Sequence, residues 1–256
     1  MNFYSFGLLE DAETLYNHHY TGMLLTYTID QGNYFIRVAE SIDKGKNFKY
    51  MVAVRPYLVS PQFLCTINNS IDLIDKDRIQ INFVSGFVKE DEKDFGGVLG
   101  PVNDLSSNIE KSNYLIEYIK NIENIKDHNL DYYVTATNKF VFNEMSKIGS
   151  KMIMSYDQYK DKVYDLSNKK IMVAIIPILR ETQEEIDSIS PDKIMSDIEY
   201  MTYDNFKIFI KELENNGINE IMICCWDRKE KRRIHKIVKE YKEKEINQWK
   251  IFYCQH

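Results

Sequence analysis

The residues in this chain with the means to do chemistry stand at the ends of apolar runs. The run 20–27 ends in Tyr27-Thr28, 50–54 gives way to Arg55-Pro56, and 79–84 to Ser85-Gly86. Later runs give way to the stretch from Thr135 to Asn138, to Ser155-Tyr156, to Arg180 and to Trp226-Asp227. Arginine, hydroxyl and amide groups can orient a bound molecule by hydrogen bonding and charge. They act together when the runs are parallel strands, because the carboxyl ends of such strands gather at one face. Asn82 interrupts the run 79–84, and a polar side chain in a buried strand needs a partner.

Other chemistries lack their residues. There is no G-x-G-x-x-G, phosphate loop, G-x-S-x-G or H-E-x-x-H. The five histidines are His18, His19, His128, His235 and His256. Adjacent helical residues point to different faces, so His18-His19 suits a surface or helix end better than a catalytic pair. Cys65, Cys224, Cys225 and Cys254 form no C-x-x-C pair and no metal cluster. Cys224 and Cys225 lie in an apolar run, as small core hydrophobes do. This cysteine usage fits a reduced, cytoplasmic protein.

The elements that would position the strand ends alternate. The stretch 51–86 reads strand, helix, strand. Ser60-Pro61 is an N-cap with proline at the first helical position, and Phe63, Ile67, Ile71 and Ile74 repeat at helical spacing as its apolar face. Before it, Asp30 or Asn33 caps a helix whose apolar residues are Phe35, Ile36, Val38, Ala39 and Ile42. After it, a loop at 87–107 is long enough to be functional or disordered. Helices follow at 108–122 and 138–148, strands at 132–135, 151–155 and 170–179, and an irregular stretch at 180–201. A helix at 202–216 stops at Gly217, and a last strand at 219–226 leads into a final helix at 227–244. The aromatic tail 246–256 reads as docked on the body or on a partner. About eight strands alternating with helices argue for a parallel sheet, either a TIM-type (β/α)8 barrel or an open doubly wound sheet.

The chain's 256 residues fit one barrel or two smaller domains. A net charge of -6 argues against binding nucleic acid by phosphate neutralisation. The basic stretch 228–244 also holds Glu230, Glu240 and Glu243, so it reads as a solvated, ion-paired helix face. There is no signal peptide, and no apolar run is long enough to span a membrane.

The pattern Val54-Arg55-Pro56, Ser60-Pro61, Asp72, Arg78, Asn82, Val84-Ser85-Gly86 resembles the bacterial luciferase-like flavin monooxygenases, nearest the alkanesulfonate monooxygenase branch. Tyr20-Thr21-Gly22 upstream and Leu179-Arg180-Glu181-Thr182 with Glu184-Glu185 downstream extend it, as does the segment 206–223. The resemblance implies one TIM barrel over 1–256, shortened at the N-terminus and before the last strand. It also implies FMN in its reduced form from a separate reductase, O2, a small organic substrate and a homodimer, with no nucleic-acid or membrane partner. Asn82, Ser85 and Gly86 would lie beside the flavin ring. Thr135, Thr137 and Asn138, in the segment TATNK, take the place of the family's phosphate segment, where a helix start with hydroxyls and a lysine suits an anion. The other reading is that Asn138 only caps its helix and Thr137 fills the turn.

The departures concern catalysis. Gln31 stands at the branch's active-site cysteine, and Ala174 and Ile176 replace an arginine–histidine pair, removing electrostatic stabilisation. Gln31, Arg55 and Tyr27 are the catalytic candidates, and Arg180 and Tyr57 further candidates to line the cavity. Arg55 suits equally a strand-end pairing with a carboxylate. Two functions fit: a flavin monooxygenase or oxidoreductase with a divergent pocket, or a flavin-binding or structural homologue without oxygenase activity that acts as a subunit or partner. A metal-dependent barrel hydrolase would need clustered ligands that the chain lacks.

Overall fold

Polar caps and prolines decide where the apolar runs become strands and helices. In the computed structural model, Ser60 accepts the Phe63 amide at 3.3 Å, Asn33 accepts that of Phe35 at 3.0 Å, and Asn138 that of Val141 at 2.9 Å. Each fills an orphan donor of a helix's first turn. The structure describes residues 1–25, 33–42, 47–85, 108–161, 163–189, 198–225 and 227–254. Tyr27, Gln31, Gly86, Trp226 and the loop 87–107 lie outside them.

The strands are β1 (Asn2–Phe6), β2 (Gly22–Leu25), β3 (Lys49–Val54), β4 (Ile79–Phe83), β5 (Tyr132–Thr135), β6 (Lys151–Ser155), β7 (Ile171–Ile175), β8 (Pro177–Arg180), β9 (Glu199–Thr202) and β10 (Glu220–Ile223). The helices are α1 (Ala12–Asn17), α2 (Tyr34–Ser41), α3 (Pro61–Asp72), α4 (Asn108–Glu123), α5 (Lys139–Lys147), α6 (Tyr156–Lys160), α7 (Gln183–Asp187), α8 (Tyr203–Asn215) and α9 (Arg228–Cys254). Eight strands close a barrel in the order β1-β10-β7-β6-β5-β4-β3-β2. The expected TIM-type barrel is the fold, and the open sheet is excluded.

By contacts the chain divides into two compact units, Leu24–Ile171, and Met1–Met23 with Met172–His256. In the first, the parallel register aligns Ala53, Asn82, Tyr133 and Lys151 in one row. The alternate residue Phe83 packs edge-on against Tyr118 of α4, ring centroids 5.6 Å apart. The Phe83 row therefore faces the helices and the Asn82 row the barrel interior. In the second unit, Tyr4, Met222 and Ala174 share a row. Phe206, Ile210 and Leu213 of α8 and Ile234 and Val238 of α9 are buried. Each such burial contributes roughly 2 kcal/mol. Gly217, at φ +77°, ends α8 in a backbone conformation that glycine adopts without strain.

Several elements differ from the sequence reading. The run 170–179 is two strands. Pro177 has no N–H for a central ladder, so β7 ends at Ile175 and β8 starts afresh. β8 pairs in parallel with β9 in a separate two-stranded sheet, Ile178 opposite Tyr200. β9 begins inside the stretch taken as irregular. The last helix runs on to Cys254 rather than stopping near 244. Of the stripe Phe63–Ile67–Ile71–Ile74 only Ile71 is buried on the core face of α3, and Ile74 lies past the helix's end. Leu64, Cys65, Asn68 and Ile71 are the buried residues, and Phe63 and Ile74 are exposed.

Candidate functional site

The carboxyl ends of β4, β5 and β6 carry a connected set of polar groups, all within the unit Leu24–Ile171. Asn82 is 4% exposed, and its Oδ1 accepts the Thr135 hydroxyl at 2.9 Å. The partner that a polar residue in a buried strand requires is thus a threonine on the neighbouring strand. One layer further, Ser85 Oγ and Thr137 Oγ1 are 3.4 Å apart. Ser85 is buried and Thr137 exposed, so the pair runs from the interior to the surface.

Asn138 caps α5 through Oδ1, and its Nδ2 donates to the buried Ser112 of α4 at 3.2 Å. The capping role in the sequence reading is therefore what Asn138 performs. Thr137, the exposed Lys139 and the first turn of α5 stand beside that cap and also suit an anion.

Gln158 belongs to this set and was missed in the sequence. Its Nε2 donates to the Ala136 carbonyl at 2.7 Å, between the two threonines. Its Oε1 and amide N–H form a reciprocal cap with Ser155 at the start of α6, at 2.9 and 3.2 Å. The S-x-x-Q spacing at 155–158 right after a strand was the available signal. α6 is thereby tied to the turn that holds Thr135 and Thr137.

Arg55 is half-buried at the end of β3, with the buried Tyr57 in the short helical turn that follows. The Tyr118 hydroxyl donates to the Val59 carbonyl at 2.8 Å, fixing the loop before α3. Burial pushes the Tyr118 phenol above its usual range, with Tyr114 and Cys65 adding to the effect. Tyr118 therefore stays protonated and serves as a donor.

The strand ends of the other unit are built differently. Ala174 and Ile176 are half-buried and bring no charge. Arg180 was expected to line a cavity. Instead it donates to the buried Glu230 at 2.7 Å and to the Leu179 carbonyl at 2.8 Å. Arg233 reaches the same Glu230 oxygen at 2.9 Å. Asp227 caps α9 by accepting the amides of Lys229 and Glu230, and these bonds hold its carboxyl below the usual range. Burial pushes the Cys224 thiol up to about 12 and that of Cys225 to about 11. Both remain protonated and unreactive, as core hydrophobes.

Among the described residues no three His, Cys, Asp or Glu side chains group to hold a metal, and no helix is long and apolar enough to cross a membrane. The donor set at β4–β6 does suit FMN. Amide and hydroxyl groups at a barrel mouth match the alternating carbonyls and N–H of a flavin ring edge. A threonine, a lysine and a helix start match a phosphate.

No protein-family model matches the sequence, and no curated protein matches it by sequence. Its fold is similar to solved barrels. Monooxygenase RslO1 from Streptomyces bottropensis superposes at a TM-score of 0.63 with 12% identity, over 94% of this chain and 98% of that one. A coenzyme F420-dependent tetrahydromethanopterin reductase from Methanopyrus kandleri superposes at 0.61 with 11% identity, over 93% and 96%. The oxygenating constituent of a 3,6-diketocamphane monooxygenase from Pseudomonas putida, in complex with FMN, superposes at 0.58 with 10% identity, over 90% and 89%. The chain therefore has the barrel fold found in these two monooxygenases and this reductase. At such identities the likeness is one of fold, and function must be argued from the site.

Proposed function

We propose that this protein is an FMN-dependent monooxygenase. It takes reduced FMN from a separate reductase, uses O2 and acts on a small organic substrate. The observation that carries the reading is the polar set Asn82–Thr135 and Ser85–Thr137, at the carboxyl ends of barrel strands. A solved barrel of similar fold is in complex with FMN. In this reading Asn82, Ser85 and Gly86 hold the ring edge. Thr135, Thr137 and the start of α5 at Asn138 hold the phosphate end, with Gln158 positioning their turn. Bound reduced FMN supplies the electrons for oxygen activation. Arg55, Tyr57, Tyr27 and Gln31 are the side chains that would shape and serve the substrate pocket. The protein would work in the cytoplasm as a homodimer.

A second reading, a flavin-binding homologue without oxygenase activity, draws on one observation. Ala174 and Ile176 place no cation at their strand, and Arg180 is committed to Glu230. Titration with oxidised and reduced FMN, followed by reoxidation in air, separates the two. Oxygenase activity predicts tight binding of reduced FMN and reoxidation kinetics altered from those of free flavin. Binding with unaltered reoxidation selects the second reading, and no binding of either form overturns both.

A further inference from the structure

The acids that balance the basic stretch of α9 in the sequence are engaged elsewhere in the structure. Glu230 is 7% exposed and takes both Arg180 and Arg233 on one oxygen. Asp227 accepts the amides of Lys229 and Glu230 as the helix cap. Glu245 pairs with Lys242, and Lys231 turns to Asp11. Ile234, His235, Ile237 and Val238 are buried. The exposed side chains from 228 to 236 are then Arg228, Lys229, Arg232, Arg233 and Lys236, all basic and none apolar. Among the described residues Arg233 has its pair with Glu230, and Arg228, Lys229, Arg232 and Lys236 have no ion pair.

Arg228, Arg232 and Lys236 stand four residues apart, a ridge about 12 Å long. Like charges at that spacing repel along a helix. Arg228 and Lys229 also lie in the first turn, where the helix dipole favours anions. The arrangement works against the helix that carries it, and nothing within the chain compensates. A local rule broken in this way points to a contact outside the chain. Charge says which. A membrane surface takes up apolar side chains, and the ridge offers none. A nucleic acid would find four unpaired cations on a chain of net charge -6, too few phosphate contacts to hold it against that repulsion. Carboxylates at every fourth position of a partner helix repeat about every 6 Å, as the ridge does. Arg228 and Arg232 can meet them fork to fork, and Lys236 as a point charge.

We propose that the Arg228–Arg232–Lys236 ridge of α9 docks an acidic protein partner that presents carboxylates at helical spacing. The docking does not depend on flavin binding. Fluorescence anisotropy of a labelled helical peptide with glutamate at every fourth position, titrated with the full chain, tests it. The wild type is expected to bind this peptide, and its glutamine counterpart roughly tenfold more weakly. Arg228→Glu, Arg232→Glu and Lys236→Glu together are expected to weaken binding of the glutamate peptide roughly 100-fold. Lys76→Glu, Lys126→Glu and Lys244→Glu together make the same change in net charge at exposed positions elsewhere, and are expected to leave binding within about twofold of the wild type. Arg232→Glu alone is expected to unfold at the wild-type temperature or above, since it relieves repulsion. No binding of the glutamate peptide, equal losses in the two triple variants, or an Arg232→Glu chain that unfolds at a lower temperature would each overturn the proposal. So would tighter binding to a DNA duplex or to phosphatidylserine vesicles than to the peptide.

Discussion

The strand ends of the two units make an instructive contrast. At β4–β6 the polar groups are neutral amides and hydroxyls, bonded in separate pairs of which the outermost reaches the surface. At β7 and the carboxyl end of β10 the residues are apolar, and Arg180, Glu230 and Arg233 are tied into ion pairs. Neutral hydrogen-bonding groups can exchange partners with a ligand at small cost. A buried carboxylate held by two guanidinium groups cannot, since breaking it strands a charge. The first region is organised to receive a molecule and the second to hold the fold.

The contrast predicts that changes in the second region act on stability and changes in the first on binding. The largest effect belongs to Glu230→Ala. It leaves Arg180 without its carboxylate and should cost about 3 kcal/mol of unfolding free energy in urea denaturation, with FMN affinity unchanged. A loss of affinity equal to that of Asn82→Ala would break the contrast.

Next comes acid. Burial, then the neighbouring His18 and Lys231, hold the His235 imidazole down to about 4, Asp11 opposing. The ring lies 5.2 Å from His18 and 5.3 Å from Tyr20. Its ordinary value is about 6.5. Above that pH neither state is protonated and the full stability is present. As pH falls from 6.5 towards 4 only the unfolded chain takes the proton, so stability drops, on the order of 2 kcal/mol in all. Below 4 this group contributes no further loss. His235→Phe should flatten that part of the stability–pH curve, and an unchanged slope would assign it to other groups.

Smaller effects fall at β4–β6. Thr135→Val removes the donor to Asn82 and should weaken FMN binding several-fold, about 1 kcal/mol. Gln158→Ala should weaken it less, since it acts only by holding the turn at Ala136. Equal effects on affinity would make Gln158 a direct ligand contact.

Much of the fold was legible because the buried strands are near-continuous apolar runs and their caps are local. Ser60-Pro61, Asn138 and Gly217 mark helix ends by their own chemistry. What was not legible depended on partners distant in sequence. Periodicity found the stripe Phe63–Ile67–Ile71–Ile74 but gave no sign that Phe63 would be exposed while Leu64 and Cys65 joined Ile71 in the core. Arg180 read as a cavity residue because Glu230, fifty positions on, is invisible to local pattern. Asn82 announced that it needed a partner, and only the register of β4 against β5 named Thr135. Gln158 could have been found from its capping spacing. Its bond to the Ala136 carbonyl could not.

The central claim is that the β4–β6 strand ends bind flavin. Its most direct test is the FMN dissociation constant of Asn82→Ala against the wild type, with unfolding free energy measured alongside. The account predicts that the wild type binds FMN and that the variant binds about tenfold more weakly while remaining folded. Equal affinity in a folded variant, or no binding by the wild type, would contradict it.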